Sequence, residues 1–312
     1  MALNKLVVLV GGVGGAKLAH GLMQVFPAER LTIIVNTGDD FWLYGLRICP
    51  DFDTVMYTLA GLVNPVNGWG VAGDTVVTLD ALRRFGEEPW FRLGDQDLAT
   101  HLLRTEGLRG GERWTSIAAR LTKSLGIPSA LLPMTDDESQ TMIDTVRDGR
   151  LAFQEYFVRH KWQPVVRSID LSAAKSARIT PEVSNAIREA DAILIAPSNP
   201  WLSIAPILAM PGMRDLLFSR PVPRVAISPI VGGKAIKGPA AKIMMEMGFE
   251  VSARSVAKHY GEIINGFIYD EIDVNNPPAG LHSLATDTMM RTESDRARLA
   301  NEILSWIESW RI

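Results

Sequence analysis

The sequence predicts an α/β protein: a Rossmann-like, doubly wound, mainly parallel sheet that carries a helical insertion and a small β-hairpin. Three observations lead there. The apolar run Leu6-Val7-Val8-Leu9-Val10 passes directly into Gly11-Gly12-Val13-Gly14-Gly15. A second run, Leu31 to Val35, follows one helical stretch later, which makes a βαβ unit with a right-handed crossover. Further short apolar runs, Ala130 to Leu132, Ala192 to Ala196 and Arg224 to Ser228, come after helical stretches or proline-marked turns, the spacing of a doubly wound sheet. All 312 residues are read as one α/β domain.

Each element has its own signal. Leu6 to Val10 shows no alternation, as expected of a strand buried on both faces. Ala16 to Phe26 places Leu18, Leu22 and Val25 on one helical face. Between about 51 and 126 the pattern turns helical, with Asp51 to Leu62, Asp74 to Phe85, Asp95 to Thr105 and Glu112 to Leu125. Several of these open on an Asp at or near the N-cap, and together they are expected to form an insertion over one end of the sheet. Thr141 to Val158 alternates around Asp148-Gly149, so a hairpin is predicted at about 141–158. Glu293 to Trp310 closes the chain as a helix. Its Ile303, Leu304, Trp306, Ile307 and Trp310 meet either the core or a second subunit, so a homodimer is an open expectation.

Composition excludes whole classes. The chain is 47% hydrophobic and 21% charged, which is globular rather than disordered or collagenous. Lys+Arg total 32 and Asp+Glu 35, a net charge of -3, so no basic excess marks a nucleic-acid surface. The single cysteine, Cys49, allows no intrachain disulfide and no four-cysteine metal site. It fits a reducing compartment and is read as a small buried residue. The first apolar run is too short for a signal sequence, and no uninterrupted apolar window spans a membrane. The expectation is a cytoplasmic protein with no membrane partner.

The chemistry-bearing motifs sit after the apolar runs. Gly11, Gly12, Gly14 and Gly15 with Lys17 open a helix, an arrangement that lets amides and the helix dipole meet a phosphate. It is not G-x-G-x-x-G, because Lys17 takes the third glycine position, and not a Walker A loop, because Leu18 stands where Ser or Thr should follow. A tight turn alone would need only one or two of these glycines. Asn36-Thr37-Gly38-Asp39-Asp40 follows the second strand. Asp39 could hold a ribose, and adjacent carboxylates can hold Mg²⁺; an Asx turn is the plainer alternative. In Cys49-Pro50-Asp51-Phe52-Asp53-Thr54 one acid is expected to cap the next helix, leaving the other for a ligand or metal. Arg92-Leu93-Gly94-Asp95 places a cation before a predicted N-cap at Asp95, and His101 falls in mid-helix as a structural residue. Pro133-Met134-Thr135-Asp136-Asp137 and Pro197-Ser198-Asn199-Pro200 follow two more strands; Ser198 and Asn199 suit recognition of a base or phosphate. Ser228 to Pro239, with Gly232, Gly233, Lys234 and Lys237, is either a second anion loop or a solvated surface loop. Loops of this kind converge on one sheet edge, where a nucleotide diphosphate site belongs.

These segments, in this order and spacing, make the chain resemble the 2-phospho-L-lactate transferases of deazaflavin coenzyme F-420 biosynthesis over nearly its whole length. The resemblance rests on Gly11 to Lys17, Asn36 to Asp40, Cys49 to Leu59, Leu93-Gly94-Asp95, Leu132 to Asp137, Pro197 to Pro200 and Ser228-Pro229-Ile230. It implies a Mg²⁺-dependent enzyme that moves a phospholactyl or phosphoenolpyruvyl group. The donor is a guanosine diphosphate ester of a three-carbon acid, the acceptor is the ribityl hydroxyl of the deazaflavin Fo, and GMP is released. By resemblance Asp53 and Arg92 contact Fo, together with Met134. Arg92 departs from the lysine common at that point but keeps its charge, and Phe52 replaces a common leucine. Ser198 and Asn199 contact the guanosine part, with Gly11, Gly12, Gly14, Gly15, Lys17 and Thr37 on the nucleotide and its phosphates. Asp40 and Asp53 are expected to be catalytic, and Asp39 with Asp40 to hold the metal. Two rivals share the core. A regulator that binds nucleotide sugars would not need the Cys-Pro-Asp-x-Asp-Thr stretch, and Lys17 argues against a nicotinamide-dependent oxidoreductase.

Overall fold

A computed structural model describes residues 3–310. In chain order, Leu6–Val10 (β1), Gly12–Val25 (α1) and Leu31–Val35 (β2) form the first βαβ unit. A short hairpin, Phe41–Leu43 (β3) and Leu46–Ile48 (β4), leads to four helices: Pro50–Leu59 (α2), Val77–Arg84 (α3), Asp97–Arg109 (α4) and Trp114–Ser124 (α5). Ala130–Pro133 (β5) returns to the sheet. A three-stranded antiparallel patch follows, made of Met142–Thr145 (β6), Arg150–Ala152 (β7) and Val166–Asp170 (β8). Ser172–Ser176 (α6) and Pro181–Glu189 (α7) precede Ala192–Ile195 (β9); Ala205–Ala209 (α8) and Met213–Phe218 (α9) precede Arg224–Ile227 (β10). The remainder is a hairpin, Ile230–Val231 (β11) and Lys234–Ala235 (β12), then Ala240–Glu246 (α10), Ala253–Tyr260 (α11), Gly266–Asp270 (β13), His282–Thr286 (β14) and Glu293–Glu308 (α12).

The main sheet has seven strands in the order β14-β13-β10-β9-β1-β2-β5. All six neighbouring pairs are parallel. The order reverses between β1 and β9, so a crevice opens beyond their carboxyl ends, which is where ligands sit in such sheets. The ladder carries into those loops, with the Asn36 amide donating to Val10 and the Ala196 amide to Leu9, each at 3.0 Å. Both sheet faces are covered. Val7 and Leu9 of β1 join one core with Ile193, Ile195 and Phe267, while Leu6, Val8 and Val10 join the other with α1, α2 and α12. Alternate residues of one buried strand thus serve two cores, which explains the unbroken apolar run.

Several expectations change. The first helix begins at Gly12, four residues before Ala16, and the absence of a Cβ at Gly14 and Gly15 lets it press on the loop after β9. The segment 141–158 is not a simple hairpin: β6 and β7 pair, but Glu155–Arg159 forms a π-helical turn, and β8 supplies the other partner of β6. Asp95 does not cap its own helix. Its carboxylate accepts from the amides of Val77 and Thr78 at the start of α3, at 2.8 and 2.9 Å. Asp74 in turn accepts from the amides of Gln96 and Asp97 at the start of α4. The two caps cross. Gly94 is required at this crossing, because a Cβ there would lie 1.9 Å from an Asp74 carboxylate oxygen. On α12, Ile303, Leu304 and Ile307 are buried in the core, so that face is occupied within the chain. No described helix is long and apolar enough to cross a membrane.

Candidate active site

The crevice at the β1/β9 reversal is built from glycines first. A Cβ on Gly14 would lie 2.5 Å from the Pro197 carbonyl oxygen, and one on Gly15 would lie 2.7 Å from the Ser198 hydroxyl. A Cβ on Gly11 would meet Ser203 at 2.5 Å and an Asp51 oxygen at 2.7 Å. Gly12 takes a φ of +62°. These glycines therefore serve close packing, and in doing so they set the first amides of α1, which have no intrahelical acceptors, at the floor of the crevice.

Two acids face that floor. The Asn36 amide nitrogen donates to Asp39 at 2.8 Å and to Asp51 at 2.9 Å, holding both carboxylates together. The Asn36 side-chain oxygen accepts from the Gly38 amide at 2.9 Å, so an Asx turn does shape this loop. Neither acid of the Asp51/Asp53 pair caps α2, whose N-cap is Cys49. Asp51 instead receives the Gly12 amide. Burial raises Asp39 well above the ordinary carboxylate range, and the Asp51 charge adds to this. Burial lifts Asp51 to about 6 against its hydrogen bonds from Asn36 and Gly12. Among the described residues, no Lys or Arg nitrogen lies within 4.0 Å of either carboxylate. Two buried acids sharing one amide and lacking a counter-charge form a donor set for a hard divalent cation.

Asp40 belongs to a different cluster. Its side chain is buried, with one oxygen 3.4 Å from the Arg47 guanidinium and the other, Oδ1, without a partner. Burial lifts it to about 7, against the pull of the Arg47 charge. Cys49 is fully buried. Arg47 also binds Glu138 at 2.6 Å. Asp39 and Asp40 are therefore split: the partner of Asp39 is Asp51, not its sequence neighbour.

Asp53 lies in a third, deeper network. Arg104, 0% exposed, grips both Asp53 oxygens; one of its nitrogens is 3.1 Å from Asp53 Oδ2 and from the Arg47 carbonyl. The guanidinium lies over the Trp114 ring, 4.8 Å from the centroid. His101 stands between Asp53, at 3.6 Å, and Asp97, at 3.3 Å, and the Tyr57 hydroxyl donates to Asp97 at 2.6 Å. Asp53, Asp97 and His101 are close enough to hold an ion. Arg104 already supplies the positive charge there, so this is an ionic network.

The remaining expected residues scatter. Arg92 lines a cavity of about 400 Å³ with Val76, Leu79, Arg83, Pro89 and Trp90. Phe41, next to Asp40 in the chain, packs on Trp90 and Phe91 with centroids at 5.7 and 5.0 Å, which sets this cavity beside the Asp40 cluster. Met134 is 0% exposed inside the core, and its side chain has no surface for a ligand. The Ser198 hydroxyl accepts from the Gly11 amide and donates to the Gly11 carbonyl, tying two loops. Asn199 accepts from the amides of Trp201 and Leu202 and caps the turn that follows. Thr37 bonds Ser139 at 2.8 Å. Lys17 reaches the Met290 carbonyl at 2.9 Å. Asp136 accepts from Arg113 and Thr115, and Asp137 from Arg178, so both are engaged structurally. The sequence motifs did not reveal Arg47, Arg104 or Tyr57. A signal existed: Asp97, His101 and Arg104 fall at i, i+4 and i+7 on one face of α4.

Known proteins of similar sequence and fold give the family. The family model described as 2-phospho-L-lactate transferase CofD matches residues 6–309. A 2-phospho-L-lactate transferase of Methanosarcina mazei is 38% identical over 303 residues, 96% of this chain and 99% of that protein. A phosphoenolpyruvate transferase of Streptomyces coelicolor is 40% identical over 316 residues, covering 98% and 99%. Among solved structures, a member of the UPF0052 family from Bacillus halodurans superposes with a TM-score of 0.64 at 17% identity, over 96% of this chain and 99% of that one, a likeness of fold. The chain belongs to the 2-phospho-L-lactate transferase CofD family and is an enzyme of the transferase class.

Proposed function

We propose that the protein transfers a phospholactyl or phosphoenolpyruvyl group from a guanosine diphosphate ester to the ribityl hydroxyl of Fo, releasing GMP, in coenzyme F-420 biosynthesis. The observation that carries this is the buried acid pair Asp39–Asp51 facing the glycine-built N-terminus of α1. An anion-binding helix end beside two acids without a counter-ion is a site for a metal-bound diphosphate. The relatives divide between two donor names at nearly equal identity, so both acids remain in the proposal.

Asp39 and Asp51 would hold Mg²⁺, with Asp51 taking the place first expected for Asp40. The bound ion would neutralise charge on the transferring phosphoryl group. The amides of α1 that follow Gly12, whose own amide is held by Asp51, bind diphosphate oxygens. The acceptor hydroxyl attacks the phosphorus that carries the three-carbon acid, and the bond from that phosphorus to the GMP oxygen breaks. Asp40 takes the hydroxyl proton at Oδ1; a pKa of about 7 suits a general base at neutral pH. Arg47 fixes the other Asp40 oxygen. The Arg92 cavity, walled by Trp90, Leu79 and Pro89, holds the acceptor ring, and Arg104 fixes the Asp53 carboxylate.

The test is direct. Purified protein is incubated with Fo, Mg²⁺ and each donor, and the fluorescent product and GMP are quantified by chromatography. Equimolar product and GMP are expected with one or both esters. Absence of transfer from either ester, with Fo recovered unchanged, would overturn the assignment.

A further inference from the structure

The proposed donor carries one charge still without a partner in the site. Its three-carbon acid is joined to phosphorus through the acid's own hydroxyl oxygen, so the carboxylate stays free. Only that oxygen and one carbon separate the carboxylate from the phosphorus under attack. A free carboxylate so close to the reacting atoms calls for a fixed cation, and a planar guanidinium matches its two oxygens.

Arg47 has that position and that fixity. Its amide donates to the Thr105 hydroxyl at 2.9 Å, and its carbonyl accepts from Arg104 at 3.1 Å. The hairpin pairs Arg47 of β4 with Trp42 of β3, and the guanidinium lies over the Trp42 ring, 5.8 Å from its centroid. The side chain is nearly buried, at 8% exposed. Two other cations of this region are committed elsewhere: Arg104 is sealed in the core beneath Asp53, and Arg92 lines the acceptor cavity.

The two carboxylates on Arg47 are unlike. Asp40 is buried, and its contact of 3.4 Å is long beside the usual length of about 2.7–2.9 Å for a charge-assisted bond. Glu138 comes from the loop after β5, and its side chain is 65% exposed, yet it holds the guanidinium at 2.6 Å. Its other oxygen accepts from Trp42 Nε1 at 3.3 Å. A surface carboxylate is thus seated on a nearly buried guanidinium, in the place a ligand carboxylate would take. An ion pair with one member in solvent is weakly held, so Glu138 gives way at little cost. Across Arg47 lies Asp40, whose Oδ1 is buried without a partner. The guanidinium therefore stands between the oxygen assigned to the attacking hydroxyl and an acid that can be exchanged.

We propose that Arg47 binds the free carboxylate of the donor's three-carbon acid, and that Glu138 fills its place until the donor arrives. The assignment rests on the function proposed above and adds the residue that selects donors carrying an acid. It serves both donors, because lactate and enolpyruvate share the carboxylate.

The experiment compares two guanosine diphosphate esters, one of lactate and one of lactamide, which keeps the shape and removes the charge. For wild type, Arg47→Met, Arg47→Lys and Glu138→Gln, kcat/KM is measured with Fo and Mg²⁺, and affinity by isothermal titration without Fo. The wild type should prefer the lactate ester by about 10-fold or more, the worth of a charged hydrogen-bonded pair. Arg47→Met should bring the ratio of the two esters close to one, whereas a merely structural loss would lower both esters alike. Arg47→Lys should keep part of the preference, and Glu138→Gln should tighten the lactate ester by about 3-fold. Equal use of the two esters by the wild type, or a preference that survives in Arg47→Met, would overturn the assignment and leave the transferase reading standing. Should Arg47→Met not fold, unchanged ratios in both Arg47→Lys and Glu138→Gln would overturn it. A wild type that binds GDP but neither ester would remove the transferase reading and this assignment with it.

Discussion

Replacing Arg104 by Met removes the guanidinium that touches both Asp53 oxygens. Arg104 is 0% exposed, so water cannot take its place. Breaking a buried ion pair from one side costs about 3–5 kcal/mol, because the remaining charge stays buried and unpaired. The contact with the Trp114 ring at 4.8 Å is lost in the same step and falls within that range rather than adding to it. In a chain of this size each kcal/mol is worth about 2 °C, so the melting temperature should fall by about 6–10 °C at pH 8. The loss should depend on pH. Burial already raises Asp53, against the pull of Arg104, and the substitution raises it further. A carboxyl whose folded pKa is raised favours the folded state at low pH and loses that contribution as pH rises. The gap between wild type and variant should therefore narrow toward pH 5. Thermal and chemical denaturation at pH 5.5 and pH 8 measure both effects. Arg104→Met combined with Asp53→Asn should recover part of the loss at pH 8, since no unpaired charge remains. A destabilisation under about 1 kcal/mol, or one identical at the two pH values, would refute this account of the pair.

Three other outcomes follow from the site. Asp40→Ala should lower kcat by about 10²-fold or more while the melting curve stays cooperative, and near-normal turnover would remove Asp40 as the base. Burial places Asp51 near 6 and Asp40 near 7, and raises Asp39, so these acids favour the folded state less as pH climbs from about 4 to about 7. Mg²⁺ needs them ionised; its stabilising shift in melting temperature should be small at pH 5, grow toward pH 8 and vanish in Asp51→Asn, and a shift independent of pH would count against the acid pair. Arg92→Ala should raise the KM for Fo about 10-fold or more with little change in GDP affinity, and unchanged acceptor kinetics would remove the Arg92 cavity from the acceptor site.

Five sheet strands were legible as apolar runs, four of them buried almost throughout and the edge strand β5 only in part. β14 was not: His282–Thr286 is an edge strand with exposed residues and no apolar pattern to read. β13 was missed although Gly266–Asp270 is fully buried, since its run is short, opens on glycine and ends on Asp. The acids of the site were visible in their loops, but their partners were not. Asp39 and Asp40 looked like a pair because they are adjacent, yet successive side chains in extended or turning backbone point apart, and Asp39 meets a residue 12 positions later. Arg47 and Arg104 escaped notice because a charged side chain reads as solvent-facing, and only a partner distant in sequence reveals that it is buried. The crossed caps were unreadable for the same reason: an Asp before a helix suggests its own helix, not one about 20 residues away.

Those crossed caps have a mechanical consequence. Asp74 and Asp95 tie the two ends of the segment between them to each other's helix starts, so the segment leaves the body of the protein through a closed neck. Its tip is loosely held; Phe85 is 87% exposed, and Leu79 is the only buried residue of α3. A peptide bond cut near Phe85 would leave both new ends bound at the neck, and the two pieces would stay assembled as one nicked molecule. The segment's exposed tip is therefore a place that should tolerate new chain termini or an inserted sequence.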